Sequence, residues 1–137
     1  MIKINEIYLS VQGESTHTGL PCIFVRLTGC NLRCSWCDTA YAFHEGTNMS
    51  IDEILQKVES FGIHLIEITG GEPLMQDNVY TLMRRLIEKG YKVMLETGGS
   101  ISLERVPKDV IKIMDLKCPG SGEQEKNNLD NLKLLLP

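Results

Sequence analysis

The chain has 137 residues, the length of a single domain, and we expect one domain over residues 1–137. Its 42% hydrophobic and 23% charged residues are typical of a globular protein, and a net charge of −4 argues against a general nucleic-acid binder. No signal peptide or membrane span is visible, and three of the five cysteines are clustered, so we expect a cytoplasmic protein with reduced thiols and no membrane partner.

The first predicted strand covers residues 2–9, where apolar and polar residues alternate imperfectly. It is followed by the Gln-Gly-Glu of residues 12–14. A polar turn around Gly13 would explain this stretch without any binding role. Because Gln12 and Glu14 flank the glycine, both side chains could also point into one pocket. The pattern alone leaves a structural turn and a binding site equally open.

The second predicted strand, residues 22–29, is apolar except for Arg26, as is typical of a strand buried on both faces. A buried arginine needs an anionic partner. Glu14 or Glu6 could supply the anion within the chain. Alternatively, the guanidinium would bind a substrate carboxylate through two parallel hydrogen bonds. Cys22 is predicted to be a small buried hydrophobic residue.

A cysteine-rich loop follows, in which Cys30, Cys34 and Cys37 are four and then three positions apart. Three thiolates at this spacing can each bind a separate iron of a cubane [4Fe–4S] cluster, which usually takes four cysteines. The fourth iron would then be left for a cofactor or substrate with nitrogen and oxygen donors. Structural zinc is the alternative, with His44 as the fourth ligand, although we expect His44 to be a surface loop residue.

The rest of the chain alternates helices and strands. Ser50 and Glu53 form a capping box at the start of a helix that ends near Gly62, and a second helix ends near Gly90. The apolar face of the second helix consists of Val79, Leu82, Met83, Leu86 and Ile87. Further strands are predicted over residues 65–69, 91–96 and 110–115. A final helix is predicted from Leu129, Leu132, Leu135 and Leu136.

This order implies an α/β fold with a parallel sheet and right-handed crossovers, which we predict to be a partial (βα) barrel with its helices outside. Every polar motif follows the C-terminal end of a strand, the edge at which α/β folds carry their sites. One such motif is the Gly-Gly-Glu-Pro of residues 70–73, whose glycines would let the backbone approach a ligand closely. An ordinary strand-to-helix turn would explain the glycines equally well.

The cysteine spacing and residues 70–73 together resemble the radical S-adenosylmethionine (SAM) superfamily. The resemblance implies a cluster on Cys30, Cys34 and Cys37, whose fourth iron binds the amino and carboxylate groups of S-adenosylmethionine. Glu72 would then pair with the methionine ammonium or orient the neighbouring backbone. No side chain needs to be catalytic, since a 5′-deoxyadenosyl radical from the cofactor would abstract hydrogen from the substrate.

A closer resemblance, to the 7-carboxy-7-deazaguanine synthase family of queuosine biosynthesis, runs through almost the whole chain. It is carried by residues 12–14, 24–26, 37–39, 69–73, 96–99 and 115–122. The resemblance implies a carbon–nitrogen lyase that converts 6-carboxy-5,6,7,8-tetrahydropterin to 7-carboxy-7-deazaguanine with loss of ammonia. It also implies an electron donor of the flavodoxin or ferredoxin type and a homodimer.

The same resemblance implies the roles of individual residues. The substrate would be bound by Gln12, Gly13, Glu14, Arg26 and Thr69. The cofactor S-adenosylmethionine would be contacted by Ser35, Trp36, Asp38, Gly71, Glu96, Asp115 and Lys117. Thr39 would ligate Mg²⁺, a hard cation that prefers oxygen ligands. From their positions alone, Glu96 and Lys117 could instead form a weak salt bridge at the rim.

Members of that family are longer than this chain, so we expect its C-terminal part to be missing and an open sheet edge to remain. Two other functions stay open. An enzyme that makes a glycyl radical on a partner protein would share the cysteine spacing, but would not need Gln12, Glu14 and Arg26. A non-enzymatic iron–sulfur or zinc module would need a fourth protein ligand, for which Cys22 or Cys118 is available.

Overall fold

The computed structural model describes residues 1–135, so the predicted helical position of Leu136 lies outside the described residues. Its frame is a six-stranded sheet with the strand order β3-β1-β2-β4-β5-β6. The strands are β1 (Ile2–Val11), β2 (Pro21–Leu27), β3 (Thr47–Met49), β4 (Leu65–Gly70), β5 (Lys92–Thr97) and β6 (Ile111–Met114). The two α-helices are α1 (Ile51–Glu59) and α2 (Asn78–Glu88).

Strand direction follows the prediction in one part of the sheet and departs from it in the other. Strands β2, β4, β5 and β6 are parallel, as the alternation of strands and helices predicts. Strand β1 is antiparallel to both β2 and β3, so the predicted all-parallel sheet was wrong at this end. The reason is the connection between β1 and β2, residues 12–20, because a parallel crossover needs about a dozen residues or more.

Strand β3 was not predicted, because three residues carry no usable alternation. It forms by pairing with the start of β1, where Ile2 lies opposite Met49 and Ile4 opposite Thr47. The helix that follows begins where the capping box predicts. Ser50 Oγ accepts a hydrogen bond from Glu53 N at 3.2 Å, and Glu53 Oε2 accepts one from Ser50 N at 2.7 Å.

Both helices pack on the same side of the sheet, which we call the outer face. There, alternate strand residues join the buried faces of α1 and α2 in the main core. The central strands contribute Ile23, Val25, Leu27, Ile66, Ile68, Val93 and Leu95. Because strand side chains alternate, the residues between them point to the opposite side, the inner face.

The inner face changes character along the strands. A small apolar cluster formed by Cys22, Phe24, Leu65 and Met94 lies toward the N-terminal ends of the parallel strands. The next inward positions on these strands are polar: Arg26, Glu67, Thr69 and Glu96. The polar part of the inner face therefore leads to the C-terminal edge of the parallel strands.

The predicted final helix is a short 3₁₀ helix instead, Leu129–Leu134. Its leucines do not form a buried stripe, since Leu129 is 60% exposed. Asn131 is buried in their place. Its Oδ1 accepts from Leu103 N at 2.9 Å, and its Nδ2 donates to Ile101 O at 2.8 Å, so an amide anchors this segment. No helix within residues 1–135 has the length and apolarity needed to cross a membrane.

Candidate functional site

A cavity of about 400 Å³ opens at the C-terminal edge of the parallel strands, where the polar motifs were predicted to meet. It is lined by the ends of strands and by the loops that follow them. The predicted site residues on its wall are Glu14, Arg26, Cys30, Cys34, Trp36, Cys37, Asp38, Thr39, Thr69, Gly71, Glu96, Asp115 and Lys117. Segments far apart in the sequence are thus brought together, although the role of each residue stays a prediction.

Three predicted site residues do not line this cavity. Gly13 lies exposed in the turn after β1. Ser35 ties the cysteine loop to the loop after β6, because its Oγ donates to Gly120 O at 2.7 Å. Gln12 is only 3% exposed and lies beneath the cavity, where its Nε2 donates to the carboxylate of Glu67. Any contact of Gln12 with a ligand would therefore require its amide to leave Glu67.

The cysteine loop packs directly against the loop after β4. Glu72 N donates to Gly29 O at 2.8 Å. A Cβ at position 71 would lie 2.5 Å from the Cβ of Cys30, so this position requires glycine. The shortage of side chains at residues 70–71 thus serves close packing against the cysteines, whatever else the backbone contacts.

The thiols of Cys30, Cys34 and Cys37 are free and face the same cavity. Within residues 1–135, no three His, Cys, Asp or Glu side chains are grouped around the position of a single metal ion. A cubane cluster does not require such convergence, because each thiolate binds a different iron. The sulfur donors and the volume of the cavity therefore fit an iron–sulfur cluster.

The other two cysteines lie outside the described cavity wall. Cys22 is fully buried, and desolvation raises the pKa of its thiol to about 12. The prediction that Cys22 acts as a small hydrophobic residue is thus supported by its position. Cys118 is exposed on the loop after β6. His44 is exposed as well, as predicted for a surface loop residue.

Glu72 takes the second of its two predicted roles, the orientation of neighbouring backbone. Its side chain is buried and accepts hydrogen bonds from Leu74 N at 3.1 Å, Gly98 N at 2.9 Å and the hydroxyl of Thr97 at 2.8 Å. Burial raises the pKa of Glu72 although these donors favour the ionised form. The carboxylate thus joins the loops after β4 and β5.

Arg26 has an internal partner and still faces the cavity. Its Nε donates to Glu6 Oε1 at 2.8 Å and its Nη2 to the hydroxyl of Tyr8 at 3.1 Å, so of the two predicted internal partners Glu6 is the one bound. Nη1 has no hydrogen-bond partner within residues 1–135. Glu6 and Tyr8 therefore hold one edge of the guanidinium and leave the other edge for a ligand.

Lys117 also differs from its predicted pairing. Its Nζ lies 2.8 Å from Asp115 Oδ2, so Lys117 forms its salt bridge with Asp115 and not with Glu96. Burial disfavours the charged ammonium, but the hydrogen bond that Lys117 donates to Asp115 and the nearby negative charges together outweigh it, so the pKa of Lys117 is raised. Lys117 is therefore a stable cation on the cavity wall.

The cavity wall as a whole is anionic. Its carboxyl groups are Glu14, Asp38, Glu96 and Asp115, and its cations are Arg26 and Lys117. The charge of Glu96 is the largest cause that raises the pKa of Glu14, followed by desolvation and by the other two carboxylates. A cationic ligand group would relieve this mutual repulsion.

Sequence reasoning missed Glu67, which is 3% exposed in the middle of β4. It lies on the strand next to that of Glu96, whose Oε2 accepts a hydrogen bond from Thr69 Oγ1 at 3.0 Å. Burial first, and then Glu96, raises the pKa of Glu67 to about 7. The signal was present in the sequence, because Glu67 is an ionisable residue in an otherwise apolar strand, as Arg26 is in β2.

Comparison with known proteins adds a family match and named relatives. Residues 24–117 match the family model described as the Radical SAM superfamily. The chain is 54% identical over 138 residues to a 7-carboxy-7-deazaguanine synthase of Koribacter versatilis, and 46% identical over 135 residues to one of Chlorobaculum tepidum. It covers 61% of each relative, while 99% and 98% of this chain is matched.

A solved structure is also similar to this chain in fold. The crystal structure of QueE from Escherichia coli superposes with a TM-score of 0.75 at 26% sequence identity. The match covers 97% of this chain and 76% of that chain.

Proposed function

The chain belongs to the radical SAM superfamily, and from this premise we propose that it acts as a 7-carboxy-7-deazaguanine synthase. The predicted α/β fold of the radical SAM type is confirmed, with the correction that one strand, β1, is antiparallel to both of its neighbours. The relatives that bear this enzyme's name support the proposal. The single observation that carries it is one cavity that combines three free thiols, an unsatisfied guanidinium edge and an anionic wall.

The family implies a [4Fe–4S] cluster and S-adenosylmethionine. When bound, these groups supply one-electron chemistry and hydrogen abstraction from an unactivated C–H bond. In this proposal, Cys30, Cys34 and Cys37 hold the cluster. The buried side chain of Leu32 on the same wall would help to exclude water from it.

Cationic groups of the cofactor fit the charges on the cavity wall. S-adenosylmethionine carries an ammonium and a sulfonium, and the carboxylates of Asp38, Glu96 and Asp115 would face them. Lys117 would hold Asp115 in place through its 2.8 Å salt bridge. Gly71 would offer backbone groups to the methionine end of the cofactor.

The proposed substrate is 6-carboxy-5,6,7,8-tetrahydropterin, and the product is 7-carboxy-7-deazaguanine with loss of ammonia. The free edge of Arg26 would bind the substrate carboxylate through parallel hydrogen bonds, while Glu6 and Tyr8 keep the guanidinium in place. Thr69 and Glu14 would bind polar groups of the pterin ring. This placement would decide which C–H bond faces the radical.

Four further parts of the prediction remain proposals. The hydroxyl of Thr39 on the cavity wall would ligate Mg²⁺, for which oxygen donors are suited. An electron donor of the flavodoxin or ferredoxin type would reduce the cluster, and two copies of the chain would form a homodimer. The five free cysteines favour a reducing, cytoplasmic environment.

Anaerobic reconstitution with iron and sulfide tests the proposal. The protein is then incubated with a reductant, S-adenosylmethionine and the carboxypterin, and the products are identified by mass. We expect methionine, 5′-deoxyadenosine and the carboxylated deazaguanine. Cleavage of S-adenosylmethionine without any deazaguanine would contradict the substrate, and absence of a cluster would contradict the reaction class.

A further inference from the structure

A buried carboxyl group, that of Glu67, lies beneath the cavity next to the part-buried Glu96. Glu67 and Glu96 lie on the adjacent parallel strands β4 and β5, and both side chains are on the inner face. Glu67 is shut off from solvent, whereas Glu96 reaches the cavity wall. The Glu96 carboxyl group is close enough to Glu67 to raise its pKa. A hydrogen bond between the two would require a proton on one of them, because two carboxylates have none to donate.

The orientation of Gln12 decides which oxygen of Glu67 is available. Glu14 N donates to Gln12 Oε1 at 3.1 Å, which turns Gln12 Nε2 toward Glu67 Oε2. Oε2 of Glu67 is therefore an acceptor. A proton on Glu67 would be carried by the other oxygen and would be free to bridge to Glu96.

The surroundings of Glu67 provide no positive charge to stabilise two carboxylates. The titratable groups that face it are Glu14 after β1, the neutral thiol of Cys22 on β2, and Glu96 on β5. Arg26 is on the same face of β2, but its guanidinium is bound to Glu6 and Tyr8. Within residues 1–135, no Lys or Arg forms a salt bridge with Glu67.

We propose that Glu67 carries a proton in mildly acidic solution and donates it to Glu96, so that Glu67 is a positioning residue for the Glu96 carboxylate. The hydroxyl of Thr69 is the second donor to Glu96, at 3.0 Å. With two donors, the Glu96 carboxyl group has a fixed direction at the cavity wall. The inference rests on the proposed function only in taking S-adenosylmethionine as the ligand that Glu96 contacts.

The burial of Glu67 between Gln12 and Glu96 is consistent with its pKa of about 7, since desolvation is the largest cause of the shift. Above that pH, ionisation of Glu67 would place two adjacent carboxylates in a buried site. Their repulsion would push the Glu96 side chain away from its position. The position of the Glu96 side chain on the cavity wall should therefore depend on the proton of Glu67, which does not contact the ligand.

Infrared spectroscopy of the cluster-free protein tests for the proton without any ligand. Glu14 and Glu72 also have raised pKa values, so the signal of Glu67 is isolated as the difference between wild type and Glu67→Gln at each pH. We expect a protonated-carboxyl band at pH 6 that is absent from Glu67→Gln and disappears with a midpoint near pH 7. Glu104→Gln, on the exposed surface, should keep the band. Absence of a difference band at pH 6 would overturn the proposal.

Binding of S-adenosylmethionine to the reconstituted protein tests the positioning role. Glu67→Gln retains one donor for Glu96 and one acceptor for Gln12, so its Kd should stay within about threefold of wild type. Glu67→Leu removes both and should weaken binding at least about tenfold, the loss expected for one hydrogen bond to a charged group.

Circular dichroism and iron content of both variants separate this loss from misfolding. Wild-type affinity in a folded Glu67→Leu protein would overturn the positioning role. If neither wild type nor Glu67→Gln bound S-adenosylmethionine, the proposed function would fail, while the infrared result would still decide whether Glu67 carries a proton.

Discussion

The two faces of the sheet bury side chains to similar extents but with different chemistry. On the outer face, residues such as Ile66, Ile68 and Leu95 are fully buried against α1 and α2, and the contacts are apolar. On the inner face, the same strands bury Glu67 and Thr69. Buried ionisable groups lower stability unless they are fully compensated. The difference indicates that the outer face stabilises the fold and the inner face serves the cavity.

The two buried glutamates near β4 sharpen this contrast. Glu72 is surrounded by N–H and O–H donors and acts as a stable carboxylate that joins loops. Glu67 has the amide of Gln12 on one side and a second carboxyl group on the other. Burial alone therefore does not distinguish a structural carboxyl group from a functional one, whereas the nature of its partners does.

The largest effect is expected from Cys34→Ser on the cavity side. The variant should lose the cluster and all turnover, because a serine hydroxyl does not replace a thiolate at iron. Its unfolding free energy without the cluster should change by less than about 0.5 kcal/mol, since Cys34 is only half-buried. Iron and sulfide analysis with urea denaturation measures both. Cys118→Ser is the control. Loss of the cluster in that variant would show that the ligands are not the three predicted cysteines alone.

On the outer face, Leu82→Ala should lower stability and leave ligand binding intact. Leu82 is fully buried in α2, and truncation should cost about 2–5 kcal/mol of unfolding free energy through lost burial and a cavity. The remaining folded protein should bind S-adenosylmethionine as wild type does. Urea denaturation and titration calorimetry measure the two quantities. A large loss of affinity in Leu82→Ala with normal stability would remove the distinction between the faces. Leu129→Ala is the control: Leu129 is exposed, so this change should alter neither the stability nor the affinity.

Glu72→Gln tests whether the carboxylate between the loops is structural. The amide would turn an NH₂ group toward N–H donors of Leu74 or Gly98, so we expect a loss of about 1–3 kcal/mol in unfolding free energy. Urea denaturation measures it. A variant with full stability that no longer binds S-adenosylmethionine would instead place Glu72 among the ligand-binding residues.

Arg26→Lys should affect the substrate alone. An ammonium cannot serve Glu6, Tyr8 and a carboxylate at once, so KM for the carboxypterin should rise at least about tenfold, as for one lost charge-assisted hydrogen bond. The Kd of S-adenosylmethionine should not change. Steady-state kinetics with Arg84→Lys, an exposed control on α2, checks this. Unchanged kinetics in Arg26→Lys would exclude its role in carboxylate binding.

The smallest effect is the pH dependence of stability in Glu67→Gln. The folded pKa of Glu67 is about 7 against an ordinary value of 4.5, so between these values the unfolded chain ionises while the folded protein keeps its proton. This contribution lowers wild-type stability as pH rises through that window, and it levels off above about 7. The glutamine variant lacks it and should gain stability relative to wild type between pH 5 and pH 8. Urea midpoints of wild type and Glu67→Gln at pH 5 and pH 8 measure this gain, with Glu104→Gln as the control. If the two proteins differed by the same amount at both pH values, the prediction would be contradicted.

Local features of the chain could be predicted from the sequence. The capping box of Ser50 and Glu53, the helical periodicity of α2 and the parallel direction of β2, β4, β5 and β6 all follow from residue type, period and connection. The meeting of the cysteines with the later polar motifs also follows, because parallel strands share one C-terminal edge. These signals depend on neighbours in the chain, which a sequence displays directly.

Hydrogen-bond partners were decided by the tertiary structure. Glu6 binds Arg26 because strand register places the two opposite each other, while Tyr8 binds Arg26 from the same strand as Glu6. Gln12, which follows β1, binds Glu67 on β4 and does not line the cavity. The 3₁₀ segment held by Asn131 likewise depends on backbone groups brought from far along the chain. The sequence by itself thus determined which chemistry collects at the sheet edge. Only the packed fold decided which groups face a ligand and which are used to hold one another, since that choice depends on distances between residues remote in the chain.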